Sequence, residues 1–179
     1  MKRIIIIIIL LLIAYSFYGQ NSGWVTIIPP NGYFSFKMPA QPSSYDTMNL
    51  KFYTYSVDTD IVMQVYYYDA GTVFGNNNSD SIDNPLLFFA GQLLYSTNGT
   101  LSSIDALEIN ESIRGKEIGI TYPVLDTTSS NDTTEIYIFT RVYHDGHSLL
   151  SFYVSAPERR LNDLIALKNS FFANIAILN

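Results

Sequence analysis

The chain of 179 residues has no cysteine. Disulfide scaffolds, thiolate zinc sites, iron–sulfur clusters and cysteine nucleophiles are thereby excluded, because each needs a sulfur as ligand or attacking atom. The lipid-bearing cysteine of a bacterial lipoprotein is missing too. Basic residues are scarce, with 10 Lys and Arg against 16 Asp and Glu and a net charge of −6. Too few and too scattered to line a groove, they argue against nucleic acid as a partner. No Gly-x-Ser-x-Gly elbow and no His-Glu-x-x-His helix occurs, so the common signatures of serine hydrolases and zinc peptidases are absent. No internal repeat is visible.

Only one long apolar run is present. Lys2 and Arg3 precede residues 4–14, which are entirely apolar, and Tyr15 to Gln20 follow. A basic start and an apolar stretch of about 11 residues have the outline of a secretory signal peptide and fall short of the roughly 20 that span a bilayer. Residues 1–19 are therefore expected to be a signal peptide, cleaved after Ser16 or after Gly19, with a retained N-terminal anchor as the alternative. No later stretch is apolar enough to span a membrane. Loss of Lys2 and Arg3 would leave 8 basic residues against 16 acidic, a balance of −8. An export signal without cysteine suits a bacterial periplasm or outer surface better than a eukaryotic secretory route.

Residues 20–179, about 160 in all, match one ordinary domain. Runs rich in β-branched and aromatic residues predict strands at 24–28, 33–38, 51–57, 61–68, 104–109, 116–122, 134–144 and 148–155. Two stretches have helical periodicity. Around 84–98, Asn84 and Pro85 suit a helix start, Leu86, Phe89, Ala90, Leu93, Leu94 and Thr97 recur at three-and-four spacing, and Gly99 follows. Around 157–173, Ser155 to Glu158 has capping-box spacing before Leu161, Leu164, Ile165, Phe171, Phe172 and Ile175. The pair Asp145-Gly146, lying between two strands, predicts a two-residue hairpin turn. In the seventh strand, Ile136, Ile138 and Val142 alternate with Tyr137, Phe139 and Tyr143, which requires cover on both faces. The fold class is α+β, with helices packed on a mostly antiparallel sheet.

In this order the pieces resemble a known family. Trp24, the strand Gly32-Tyr33-Phe34-Ser35-Phe36-Lys37-Met38-Pro39 and Pro42 open the chain. A hairpin and a helix follow, then Arg114-Gly115-Lys116-Glu117, the aromatic hairpin around Asp145-Gly146, and a last helix ending in Lys168-Asn169-Ser170-Phe171-Phe172. The whole, roughly 24–175, resembles a PsbP-like domain. The resemblance implies an α/β/α sandwich with a mostly antiparallel central sheet, the fold shared by the extrinsic PsbP subunit of photosystem II and the Mog-type Ran-binding proteins. It implies a binding or assembly module without a shared active site. Its matching positions are core and turn residues, so no functional residue is carried over, and no plant role follows.

Candidate sites come from the residues themselves. His144 and His147 flank the predicted turn and are expected to face each other with Asp145 nearby, a weak metal site lacking a third well-placed ligand. Asn76, Asn78, Asp80 and Asp83 offer oxygen ligands, but Ser81 and Leu87 stand where a calcium loop of the helix–loop–helix type has glycine and glutamate, so the stretch reads as a solvated polar loop. Tyr53, Tyr55 and the consecutive Tyr66, Tyr67 and Tyr68 force some rings outward on any strand. Tyr66 and Tyr68, with the loop residues Asn76, Asn78 and Asp80, are the expected interaction surface. Arg159, Arg160 and Lys168 read as a solvated face of the last helix. No cofactor is indicated. The expected function is an exported, non-enzymatic accessory or binding module for an envelope protein or a small ligand, periplasmic or extracellular. The alternatives are a small exported hydrolase or lyase working with carboxylates, and a ligand-binding domain with a weak metal site.

Overall fold

The computed structural model describes residues 23–30, 33–47, 49–69, 83–108, 113–125, 133–145 and 147–178. Its centre is a hairpin of two long strands, β8 (Thr133–His144) and β9 (Ser148–Pro157), both apolar on two faces. The sheet extends on one side through β7 (Arg114–Leu125) to β6 (Thr100–Glu108), and on the other through β5 (Val62–Asp69) and β4 (Leu50–Ser56) to β3 (Ser43–Asp46). The order is β3-β4-β5-β9-β8-β7-β6, and every neighbouring pair is antiparallel.

Alternation then assigns side chains to faces. On the first face, Tyr53, Met63, Val65, Leu150, Phe152, Val154 and Tyr143 are buried against Phe34, Phe36 and Met38. These last belong to β2 (Phe34–Met38), the middle strand of a small sheet with β1 (Val25–Ile27) and β10 (Ala176–Ile177). The C-terminal helix α2 (Leu161–Ala173) adds Leu164, Phe171 and Phe172 to the same core. Trp24 packs at its border, as an anchor for β1. On the second face, helix α1 (Asp83–Thr97) sets Leu86 and Ala90 on Ile118, Ile120, Ile138, Val142 and Leu149. The sheet is thus covered on both sides, and the α+β expectation holds.

Several local readings are corrected. The predicted capping box does not form: Ser155 lies within β9, opposite Val62 and Ile138, and a 3-10 turn over Glu158–Arg160 precedes α2 without a side-chain cap. Ile175 lies beyond the helix, which ends at Ala173. At the end of α1 it is Asn98 that adopts the left-handed conformation, at φ 50°, while the Gly99 N–H donates to the Leu94 carbonyl at 3.1 Å; asparagine is the commonest substitute for glycine there. Strand β6 begins four residues earlier than its apolar pattern indicates. It carries a bulge between Leu101 and Ser103 opposite Gly119, where a Cβ would stand 2.6 Å and 2.7 Å from the hydroxyls of Ser102 and Ser103.

Nor is Lys168 on a solvated face. Its Nζ lies 2.9 Å from Glu117 Oε1, while Arg141 Nε lies 2.7 Å from Glu117 Oε2. All three side chains are mostly buried. Arg141 stacks over the Phe172 ring and Lys168 over the Phe139 ring, so the triad joins β7, β8 and α2. Arg159 and Arg160 are tied as well: Arg159 pairs with Asp60, and Arg160 with Asp58 and Asp163, which anchors the β4–β5 turn to the start of α2.

Burial alone would raise the Glu117 carboxyl, but the hydrogen bonds from Lys168 and Arg141, with their charges, hold it below the ordinary carboxylate range. A carboxyl depressed on folding contributes stability above its unfolded pKa, and that contribution is lost as pH falls through the folded value. Glu117→Gln is therefore expected to lower the unfolding free energy by about 1–3 kcal/mol at neutral pH, since it leaves two half-buried cations unpaired. Urea denaturation at a series of pH values should show this deficit shrinking below about pH 5.

Candidate interaction face

The second face of the sheet is not uniform. Helix α1 lies over β7 and β8, and the strands on the other side of β9 carry aromatic residues on that same face. Because Tyr53 points into the first core, Phe52 and Thr54 point to the second face; because Met63 and Val65 point inward, Gln64, Tyr66 and Tyr68 point outward with them. Register brings three rings into one row: Tyr45 on β3 stands opposite Phe52 on β4, and Phe52 opposite Tyr66 on β5. The ring centroids are 5.4 Å apart for Tyr45 and Phe52 and 5.9 Å for Phe52 and Tyr66, the second pair stacked at 26°. Tyr45 is 57% exposed, and Phe52 and Tyr66 are half-buried.

Polar groups flank the row. The Tyr66 hydroxyl donates to Gln64 Oε1 at 2.7 Å, and Gln64 stands between Thr54 and Tyr153 across the strands. Burial raises the pKa of Tyr66 and, in the next layer, that of Tyr122. Tyr153 is pushed up to about 12, chiefly by burial and against a hydrogen bond with Ser155. These phenols stay neutral at any physiological pH, so among the described residues the face offers ring surface, hydroxyls and an amide. Thr54 Oγ1 is buried with no hydrogen-bond partner among the described residues, whereas Thr140 Oγ1 and Ser151 Oγ are bonded to each other at 2.9 Å.

Of the residues singled out from sequence, Tyr66 lies in this row. Tyr68, two residues on, shares its face but packs at the border of the α1 cluster, and Tyr67 points into the other core. Asn76, Asn78 and Asp80 lie outside the described residues. Tyr45 and Phe52 carry no such signal within their own strands. Their signal is the cross-strand register, which no single strand contains, and β3 itself is a fully exposed Ser-Ser-Tyr-Asp without apolar alternation.

The two histidines do not face each other. Strand pairing sets His144 opposite Leu149, and the hairpin closes with the Asp145 N–H donating to the Ser148 carbonyl at 3.3 Å. The register is moved by the Asp145 carboxylate, which accepts from the His147 N–H at 2.9 Å, the Ser148 N–H at 2.6 Å and the Ser148 hydroxyl at 2.9 Å. Such an Asx-type anchor fixes the turn one residue later than the Asp-Gly pair alone implies. His144 is buried at 5% exposure, and that burial lowers its pKa, while His147 is exposed. Among the described residues, no group of three His, Asp or Glu side chains is placed to hold a metal ion.

The carboxylates with displaced pKa among the described residues are Asp58 and Glu117, and both are lowered. For Asp58 the leading cause is the hydrogen bond from the Asp60 N–H, with burial opposing it and Ile61 N–H and Arg160 assisting. Charge-paired acids of this kind suit structural anchoring, and a general acid needs the opposite displacement.

No protein-family model matches the chain, and no curated protein matches it. Solved structures do. The solution structure of cyanobacterial PsbP (CyanoP) from Synechocystis superposes with a TM-score of 0.60 at 11% identity, covering 88% of this chain and 94% of that one. The crystal structure of LpqN, involved in cell envelope biogenesis of Mycobacterium tuberculosis, superposes with a TM-score of 0.50 at 13% identity, covering 87% and 91%. At such identities the likeness concerns the fold.

Isosteric changes test the polar layer. Thr54→Val should be neutral or stabilising by up to about 1 kcal/mol, since the hydroxyl it removes has no partner. Thr140→Val should cost about 1–3 kcal/mol, since it strands the buried Ser151 hydroxyl. Chemical denaturation of the two variants beside the parent chain measures both.

Proposed function

The protein has a PsbP-like fold, and we propose that it is an exported accessory module, without catalysis of its own, that binds a protein partner in the cell envelope. Residues 1–19 act as the signal peptide and 20–179 form the single mature domain, periplasmic or extracellular. No helix among the described residues is long and apolar enough to cross a membrane. The observation that carries the reading is the Tyr45–Phe52–Tyr66 row, aromatic surface at the end of a sheet whose other faces are filled by the protein's own elements. Aromatic residues with hydroxyl and amide neighbours are the composition of protein-binding patches. Phe52 and Tyr66 lie near-parallel with centroids 5.9 Å apart, and Tyr45 beside them is 57% exposed, so the row offers a continuous aromatic strip of the kind that protein partners cover. The lowered carboxylates and the absence of a recognised catalytic motif agree with it. The envelope role of LpqN, a protein of the same fold, points the same way.

Photo-crosslinking in the native host tests it. A crosslinking residue at position 45 is expected to capture one envelope protein at a defined mass, and the same residue at Ile165, exposed on α2, is expected to capture none. Phe52→Ser should reduce the capture at least tenfold. Equal capture from both positions, or none from either, would sink the proposal. N-terminal sequencing of the recovered protein should begin after Ser16 or Gly19.

A further inference from the structure

The two ends of the large sheet differ. At β6 the ladder is broken by the bulge between Leu101 and Ser103. At β3 the register is unbroken: Ser43, Ser44, Tyr45 and Asp46 stand opposite Thr54, Tyr53, Phe52 and Lys51 in turn, and the Thr47 N–H donates to the Leu50 carbonyl at 2.8 Å. That last bond sets the phase of the ladder. Hydrogen-bonded and non-bonded positions alternate along an antiparallel pair, so Tyr45 and Ser43 turn their backbone groups toward β4, and Ser44 and Asp46 turn theirs away from it. Among the described residues no element lies beyond β3, and all of its residues are exposed. The N–H and C=O of Ser44 and Asp46 thus face outward, on a strand with neither proline nor lysine.

Groups at this spacing specify what they accept. An extended chain presents its own C=O and N–H groups outward at the same two-residue period, whereas a helix has its groups bonded internally. The Tyr45–Phe52–Tyr66 row runs across the strands to this edge, one ring per strand, so an added strand sets its own side chain beside Tyr45 as the next place in the row. On the other face stands Asp46, its side chain 65% exposed although paired with Lys51 at 3.1 Å, in a chain of net charge −6. A second copy would bring the same net charge and the same Asp46 to the edge; a basic segment complements both. We propose that the partner docks by strand addition to β3, through an extended segment with a ring or branched apolar side chain beside Tyr45 and a lysine or arginine beside Asp46. Main-chain bonds at Ser44 and Asp46 align the segment, and the row of rings supplies the contact area that so short a strand lacks. The inference rests on the partner-binding reading and adds to it the partner's conformation and charge.

Ser44→Pro separates the edge from the row. It removes an N–H that β4 does not use, the place where an edge strand admits proline, and leaves Tyr45, Phe52 and Tyr66 as they are. With the crosslinking residue at position 45 of the full chain in the native host, Ser44→Pro is expected to reduce capture at least tenfold without moving the urea midpoint, and Ser44→Ala to keep capture within twofold. Side chains at 44 and 45 leave opposite faces of β3. Mass spectrometry of adducts from crosslinkers at either position should therefore place both within about three residues of each other, in one partner segment that contains a lysine or arginine. Capture that survives Ser44→Pro, or adducts at 45 with none at 44, overturns strand addition and leaves the partner reading standing, since a partner laid flat on the rings needs neither. A captured segment without a basic residue, or a second copy of this chain in the adduct, overturns the proposed occupant. No capture at 45 in the parent chain overturns both readings. If Ser44→Pro does lower the urea midpoint, the paired adducts decide alone.

Discussion

Phe152, fully buried near the middle of β9, touches every layer of the larger core. Its ring meets Phe36 of the small sheet at 5.4 Å, Tyr143 of the neighbouring strand at 5.9 Å and Phe171 of α2 at 5.8 Å, each nearly edge to face. Edge-to-face contacts prescribe ring orientation as well as distance. Three elements far apart in sequence are thus oriented by one side chain, and dense packing allows little slack for any of them to shift alone. The Glu117–Arg141–Lys168 triad reinforces the same junction with charge.

With one face of the sheet closed by these contacts, the two halves of the other face diverge. Helix α1 closes the half over β7 and β8 with a compact aliphatic cluster. The half over β3 to β5 bears rings and neutral polar groups at intermediate burial, a poor inner core and a good outer surface. The long central strands supply the rigid base, and the short, exposed β3 supplies Tyr45. Side chains mounted on a sheet this way are held more precisely than a loop would hold them.

What the sequence revealed follows physical lines. Strands β8 and β9 were legible because most of their positions are β-branched, aromatic or otherwise apolar, and α1 because Pro85 and Gly99 bracket its periodic residues. The double-faced cover of β8 followed from Tyr137, Phe139 and Tyr143 alternating with Ile136, Ile138 and Val142. Illegible were β3, whose four exposed residues are strand only because β4 pairs with them, and β10, two residues held by β2. The turn register was missed because a side chain, Asp145, outweighed the Asp-Gly preference of the backbone. Parity along β5 separated Tyr66 from Tyr67, but the aromatic row needed the partners of Tyr66 on two other strands. Such information resides in pairing and not in any one segment.

The bulge opposite Gly119 bears on the free end of the sheet. Strand β6 exposes Leu101 and Ile104 beside its row of backbone donors and acceptors, with no proline or lysine and with its only charges, Asp105 and Glu108, in its second half. A flat edge of that composition is a template for chain-on-chain addition. Two serines set against one glycine break the ladder in that row and wind it away from the straight line another strand would need. A Cβ at position 119 would crowd both serine hydroxyls, which would have to turn away to admit it, and loss of the bulge would leave the edge straight enough for another strand to add to it.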